Sequence, residues 1–128
     1  MRVLLDTRVF LWWVEGDRAL PAKARAALAD QENECLISLV SAWELAIKAG
    51  LGKLKLALPV KRYVVEHAAA NGFRMLDIRM AHIGRVETLA RHHGDPFDRL
   101  LIAQAIEEKL PVVTADPIFR KYGVKRIW

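Results

Sequence analysis

Cysteine is nearly absent from this chain of 128 residues: Cys35 stands alone. A lone cysteine excludes an intrachain disulfide and a cysteine-based zinc set. Its place in the apolar run CLISLV predicts a buried thiol in a reducing compartment. No basic residue adjoins it, so nothing prepares it as a nucleophile. Long apolar runs are missing too. No stretch approaches the roughly 20 residues that span a bilayer. Asp6 interrupts the N-terminal apolar run after a few residues, which argues against a secretory leader. No tract is of low complexity, no segment repeats and no linker divides the chain. The expectation is one soluble, cytoplasmic domain over residues 1–128 with no membrane association.

Acidic residues are outnumbered, 15 against 20 lysines and arginines, giving a formal net charge of +5. That balance favours a polyanion such as nucleic acid as partner. It gains weight because several of the acids fall in clusters, which leaves the rest of the surface more basic than the net charge suggests.

Apolar runs and breakers order the chain. Val3-Leu4-Leu5 predicts a buried parallel strand ending at Asp6-Thr7. Arg8 to Val14 begins a helix, and Pro21 opens a second one. Cys35 to Leu39 is the next strand, with a helix from Ser41 to about Lys48 stopped by Ala49-Gly50. Val60 to Ala70 is helical, Arg74 to Ile78 is a third strand, and Arg79 to Arg91 is an amphipathic helix with Ile83, Val86, Leu89 and Ala90 on its apolar face. Pro96 opens the longest helix, in which Leu101, Ile102, Ala105 and Ile106 recur at helical spacing, and Pro111 ends it. Val112-Val113 is a fourth strand and Gly123 to Ile127 contains a last short one. Strands alternating with helices predict an α/β fold, a three-layer α/β/α sandwich around a central parallel sheet.

The acids recur at the same kind of place. Asp6 in VLLDT, Glu44 in SAWELAIK, Asp95 and Asp98 in GDPFDRLLIA, and Asp116 in VTADP each stand where a strand should hand over to a helix. In a parallel α/β sheet those junctions share one edge, where ligands bind. Each acid also has a local explanation. Ser41-x-x-Glu44 fits a capping box. Asp95-Pro96 and Asp116-Pro117 put a cap before a proline, and Asp98 in a first turn favours the helix dipole. Asp6, at the end of an apolar strand, is the least explained by capping. Ser, Thr or Asn would cap as well, yet carboxylates recur along the edge. Their repulsion predicts a divalent cation. Mg²⁺ suits such a site because it takes one or two carboxylates and keeps several waters. There it would polarise a phosphoryl oxygen and activate a water.

These residues, in this order, resemble the PIN-domain nucleases, specifically the toxin ribonucleases of the VapC type. The matching pieces are LLDT, SLVSAWELAIKAGLGKL, HHGDPFDRLLIAQA and VVTADPIFRKYGVKRIW, which together run nearly the whole chain. The resemblance implies a single PIN-like domain. It implies an endoribonuclease dependent on Mg²⁺, with Mn²⁺ as substitute, acting as the toxin of a type II toxin–antitoxin pair. Its partners would be a cognate antitoxin, an RNA substrate and a second copy in a homodimer. Carried over by position, Asp6, Glu44, Asp98 and Asp116 resemble the family's four catalytic acids, with Asp6 and Asp98 as direct metal ligands. Asp95 belongs to the same motif as a helix cap or a metal-site neighbour.

One residue departs from the pattern. Relatives usually carry His after the Asp-Thr pair, and this chain has Arg8. Arginine keeps a positive charge near the acids but cannot shuttle a proton near pH 7. It would hold a phosphate, or pair with Asp6 and weaken metal binding. Arg8 supports an alternative: a catalytically weakened PIN-like module that binds RNA or antitoxin without cleavage. A further rival is a structural partner of the antitoxin that acts only in joint repression of transcription. The acid patterns of haloacid dehalogenases and receiver domains are absent.

Other residues are open to two readings. Arg99 and Lys48 are candidate substrate contacts, with an intramolecular ion pair as the other reading for Arg99. Lys48, Lys53 and Lys55 flank a glycine-containing connection near the expected pocket mouth. His92-His93 reads as a loop or substrate contact rather than a zinc pair. His67 and His82 are expected on helices, at the surface or partly buried. Trp12, Trp13, Trp43 and Trp128 read as core or interface residues rather than base-stacking platforms.

Overall fold

A computed structural model describes residues 1–128. The elements run β1 (Arg2–Leu5), α1 (Thr7–Glu15), α2 (Ala22–Ala29), β2 (Glu34–Ser38), α3 (Leu39–Gly50), α4 (Val60–Ala70), β3 (Arg74–Leu76), α5 (Met80–Thr88), α6 (Pro96–Glu108), β4 (Val112–Val113), α7 (Ile118–Lys121) and β5 (Arg126–Ile127). The five strands form one sheet in the order β3-β2-β1-β4-β5, and every pairing is parallel.

The three layers follow from the two-residue period of a strand. Val3 and Leu5, Cys35 and Ile37, Val113 and Ile127 face one side and pack with Val9, Phe10, Leu28, Tyr63 and Val64 of α1, α2 and α4. Leu4, Leu36 and Val112 face the other side and pack with Leu101, Ile102 and Ala105 of α6 and with Phe119 of α7. Helix α3 leaves the sheet between the layers, giving Val40 to one cluster and Leu45 to the other. No helix is long and apolar enough to cross a membrane.

Cys35 is buried, and burial, with Asp30 adding to it, pushes its thiol pKa up to about 11. Trp12 packs against Trp128 at 5.9 Å between ring centroids and Trp13 against Phe73 at 6.3 Å. Trp43 meets Phe97 edge-on at 4.9 Å yet stays 49% exposed.

Local expectations around α3 and α5 fail for physical reasons. The expected strand end at Leu39 moves back to Ser38, because Ser38 is the cap of α3 and its hydroxyl accepts from the Val40 N–H at 2.9 Å. Ser41 therefore lies inside the helix and forms no capping box with Glu44. Its hydroxyl instead accepts from the Thr7 hydroxyl at 2.8 Å, tying α3 to α1. Helix α5 is shorter than Arg79 to Arg91, and its expected apolar face is turned outward at Ile83, which is 48% exposed. His82 is fully buried in its place. Burial is tolerated because the ring is satisfied: Nδ1 accepts from the Arg79 N–H at 3.0 Å, and Nε2 meets Glu108 Oε2 at 3.1 Å.

Candidate active site

Strand β1 lies between β2 and β4, and the chain winds outward from it in both directions. The carboxyl end of β1 is thus the topological switch point, where a parallel sheet opens a crevice. Asp6 sits there. Its N–H donates to the Val113 carbonyl at 3.0 Å, and it caps α1 through a 3.4 Å bond from the Arg8 N–H to Oδ1. The Thr114 hydroxyl donates to Asp6 Oδ2 at 2.6 Å. Burial raises the Asp6 pKa, against the lowering effect of the Thr114 and Arg8 hydrogen bonds, and the Glu44 charge raises it further.

Glu44 projects from the second turn of α3 and is 8% exposed. Lys48, one helical turn on, meets its Oε2 at 2.5 Å. Asp98 stands in the first turn of α6. Its pKa is pushed up to about 6, by burial first and then by the charges of Asp95 and Asp6. Asp95 caps the same helix, accepting from the N–H groups of Phe97 at 2.9 Å and Asp98 at 3.0 Å. Asp116 accepts from the Ile118 N–H at 2.9 Å, and its own N–H donates to Thr114 Oγ1 at 3.0 Å.

All five acids line one pocket of about 610 Å³, together with Arg8, Lys48 and Lys53. Asp95 and Asp116 therefore do both things their sequence context allowed: they cap, and they face the pocket. The rule that each acid follows a strand needs correction at Asp95 and Asp98. Helix α5 lies between β3 and their loop, and it is the packing of α6 that brings its N-terminus to the strand edge. Conversely Asp77 follows β3 directly but does not line the pocket, because β3 is the outermost strand.

The donor set is all hard oxygen, which suits a divalent cation of the Mg²⁺ type. Burial first, and then the charges of neighbouring acids, raises the pKa values of Asp6 and Asp98, and a bound cation would supply opposing charge. No three acids are gathered closely enough to hold an ion by themselves. An ion here would take one or two carboxylates directly and keep waters of its own.

A family model described as the PIN domain matches residues 3–125. The chain belongs to the PIN-domain family. Within it, the chain is 31% identical over 121 residues to Ribonuclease VapC22 of Mycobacterium tuberculosis, covering 94% of this chain and 91% of that protein, so it is of the VapC type. Its fold is similar to a chain of the VapBC2 structure from Rickettsia felis bound to promoter DNA (TM-score 0.72, 17% identity, 98% of this chain and 97% of that one). It is similar also to a chain of DNA-bound VapBC from Salmonella typhimurium (TM-score 0.70, 17% identity, 98% and 96%).

In this PIN domain not every residue singled out from the sequence reaches the pocket. Arg99 does not. It is buried, and its guanidinium donates to the carbonyls of Ala90 at 2.9 Å, His93 at 3.4 Å and Val86 at 3.5 Å and to the Tyr122 hydroxyl at 3.0 Å. Neither candidate role of Arg99 is what the geometry displays, since it holds carbonyls rather than a phosphate or a carboxylate. Arg8 lines the pocket with its guanidinium 5.7 Å over the Trp12 ring, and it forms no ion pair with Asp6. Lys53 joins Lys48 at the wall, whereas Lys55 does not. His93 reaches Asp98 Oδ2 at 3.3 Å through Nε2.

Thr114 belongs to the site without having stood out in the sequence. It is fully buried and bridges Asp6 to the backbone of Asp116. The available signal was a hydroxyl two residues before Asp116 at the end of β4, beside the strand that ends in Asp6.

Proposed function

We propose that this VapC-type PIN domain is a Mg²⁺-dependent endoribonuclease, with Mn²⁺ able to substitute, and acts as the toxin of a toxin–antitoxin pair. The observation that carries the reading is the convergence of Asp6, Glu44, Asp95, Asp98 and Asp116 on one pocket at the switch point of the sheet. Kinship with Ribonuclease VapC22 supports RNA as the substrate.

Asp6 and Asp98 would hold the metal, being the two half-buried carboxylates whose pKa values are raised. When bound, the metal supplies Lewis acidity toward a phosphoryl oxygen and lowers the pKa of a water. Thr114 fixes one oxygen of Asp6 and so orients the other. Glu44 and Asp116 complete the acidic wall and would orient a water activated by the metal. Lys48 pairs with Glu44 and offsets its charge within the acidic wall. Arg8 and Lys53 at the wall attract the RNA backbone, offsetting its repulsion from the pocket.

The antitoxin would be the protein partner, as in the VapBC assemblies the fold is similar to. Leu39, Trp43 and Ile47 are exposed at four-residue spacing on α3, the helix that carries Glu44. An apolar antitoxin helix would cover them while a basic side chain enters the acidic pocket. A complex in which all five acids stay open to solvent would contradict that arrangement. Homodimerisation completes the proposed set of partners.

The deciding experiment is an RNA cleavage assay on the antitoxin-free chain with Mg²⁺ or Mn²⁺, an EDTA control, and folded Asp6→Asn and Asp98→Asn variants. Cutting should require metal. It should fall in each variant by more than the roughly 10–100-fold typical of outer-sphere changes. Cutting that survives EDTA, or variants as active as wild type, would overturn the reading.

A further inference from the structure

A hydroxyl outside the pocket lining constrains a proton beside Asp98. The Tyr122 oxygen accepts from the His93 backbone N–H at 3.2 Å and from Arg99 at 3.0 Å. A phenol has one proton and two acceptor positions, so both positions are taken. Its proton has one partner left, His93 Nδ1 at 2.7 Å. Nδ1 is therefore an acceptor in the neutral ring, and the ring proton lies on Nε2. Nε2 faces Asp98 Oδ2 at 3.3 Å.

We propose that His93 is a positioning residue for Asp98, locked as the Nε2–H tautomer by Tyr122 and Arg99 so that it donates to Oδ2 and leaves Oδ1 free to hold a metal. The inference rests on the metal-dependent reading above. It gives Arg99 a function other than substrate contact. Arg99 is fixed by the carbonyls of Val86, Ala90 and His93, and it fixes Tyr122 in turn. Tyr122 directly follows α7, which the Asp116 turn begins, so the same hydroxyl ties the Asp98 and Asp116 segments together. Outer-sphere hydrogen bonds of this kind orient a ligating carboxylate and commonly change metal affinity by about 10–100-fold when removed.

The test has two parts. Long-range proton–nitrogen NMR on the metal-free chain reads the tautomer directly, with the His93 ring assigned by its loss in His93→Gln. An Nε2–H ring is expected, and an Nδ1–H ring overturns the inference whatever the enzyme does. Mn²⁺ titration by calorimetry, with melting temperatures alongside, then compares wild type with His93→Ala, His93→Gln and Tyr122→Phe. His93→Ala should weaken Mn²⁺ binding about 10–100-fold. His93→Gln should recover most of it, because its amide keeps a donor near the Nε2 position. Tyr122→Phe should weaken binding although His93 is intact, since it removes the lock and leaves the ring packing. Three results overturn the inference alone: variants that bind as wild type does, Ala and Gln weakened equally, or a Tyr122→Phe variant without effect. A wild type that binds no Mn²⁺ and cuts no RNA overturns the proposed function and the inference with it.

Discussion

Asp98 has a pKa of about 6 in the folded chain against 3.8 when unperturbed, from burial first and then from Asp95 and Asp6. Between those values the folded chain binds more protons than the unfolded one, so stability falls as pH rises through the window and stays low above it. Two pKa units correspond to about 3 kcal/mol. Partial exposure screens that figure, and asparagine forfeits about 0.3–1 kcal/mol of favourable dipole interaction at the start of α6. The balance still favours the neutral side chain. Metal-free Asp98→Asn should be more stable than wild type by roughly 1–2 kcal/mol at pH 7, melting about 3–6 °C higher. Scanning calorimetry should see the gap close near pH 4 and, with the proposed metal site filled, reverse in saturating Mg²⁺ through tighter binding to wild type. An Asn variant that melts lower than wild type at pH 7 without metal would rule out electrostatic strain at this carboxylate.

Helix α3 places Glu44, and its start depends on one hydroxyl. Ser38 is fully buried, accepts from the Val40 N–H and donates to Gln104 Oε1 at 2.5 Å. Ser38→Ala removes a cap worth about 0.5–2 kcal/mol. It also strands a buried amide oxygen at about 1–3 kcal/mol. The urea midpoint should therefore report a loss of roughly 2–4 kcal/mol, and an effect under about 0.5 kcal/mol would contradict this account. Helix α5 is held on α6 by a polar contact. The His82 hydrogen bond, then the Arg79 and His82 charges, lower the Glu108 pKa below its usual 4.5. A depressed carboxylate contributes stability above the unfolded pKa and loses it as pH falls through the folded value. Glu108→Gln should consequently be less stable than wild type at pH 7, with the two converging as pH drops below 4.5. Parallel urea titrations at the two pH values would detect a gap that fails to close.

As the proposed nuclease, the whole molecule must bring a polyanion to an acidic pocket. Five acids sit in that pocket, while the chain as a whole carries +5. The positive excess thus lies outside the pocket's centre, where it acts over distance and is screened by salt. KM for RNA should rise steeply with salt while kcat changes little. Lys53 lines the wall and has no carboxylate partner, unlike Lys48. Lys53→Gln should flatten the plot of log KM against log salt by about 0.7 for each phosphate that the lysine neutralises. An unchanged slope would remove Lys53 from the RNA path.

The layers and most of the acids follow from the sequence without any knowledge of long-range contacts. Apolar runs such as Val3–Leu5 bury both faces of a strand, and alternation of strands with helices leaves few topologies. Asp6, Glu44, Asp98 and Asp116 were legible because carboxylates recur at element starts where uncharged caps would serve. Which polar groups meet was settled by tertiary packing. Long-range pairing joined Thr114 to Asp6 across 108 residues and Tyr122 to His93 across 29, distances that local spacing does not encode. Packing also reversed two local readings. His82 went inward and Ile83 outward, because Glu108, Gln104 and the Arg79 N–H were there to satisfy the ring. Arg99 turned from the pocket to three carbonyls. Periodicity specifies which side of an element is apolar; the partners of a buried polar group depend on what the other elements bring to it.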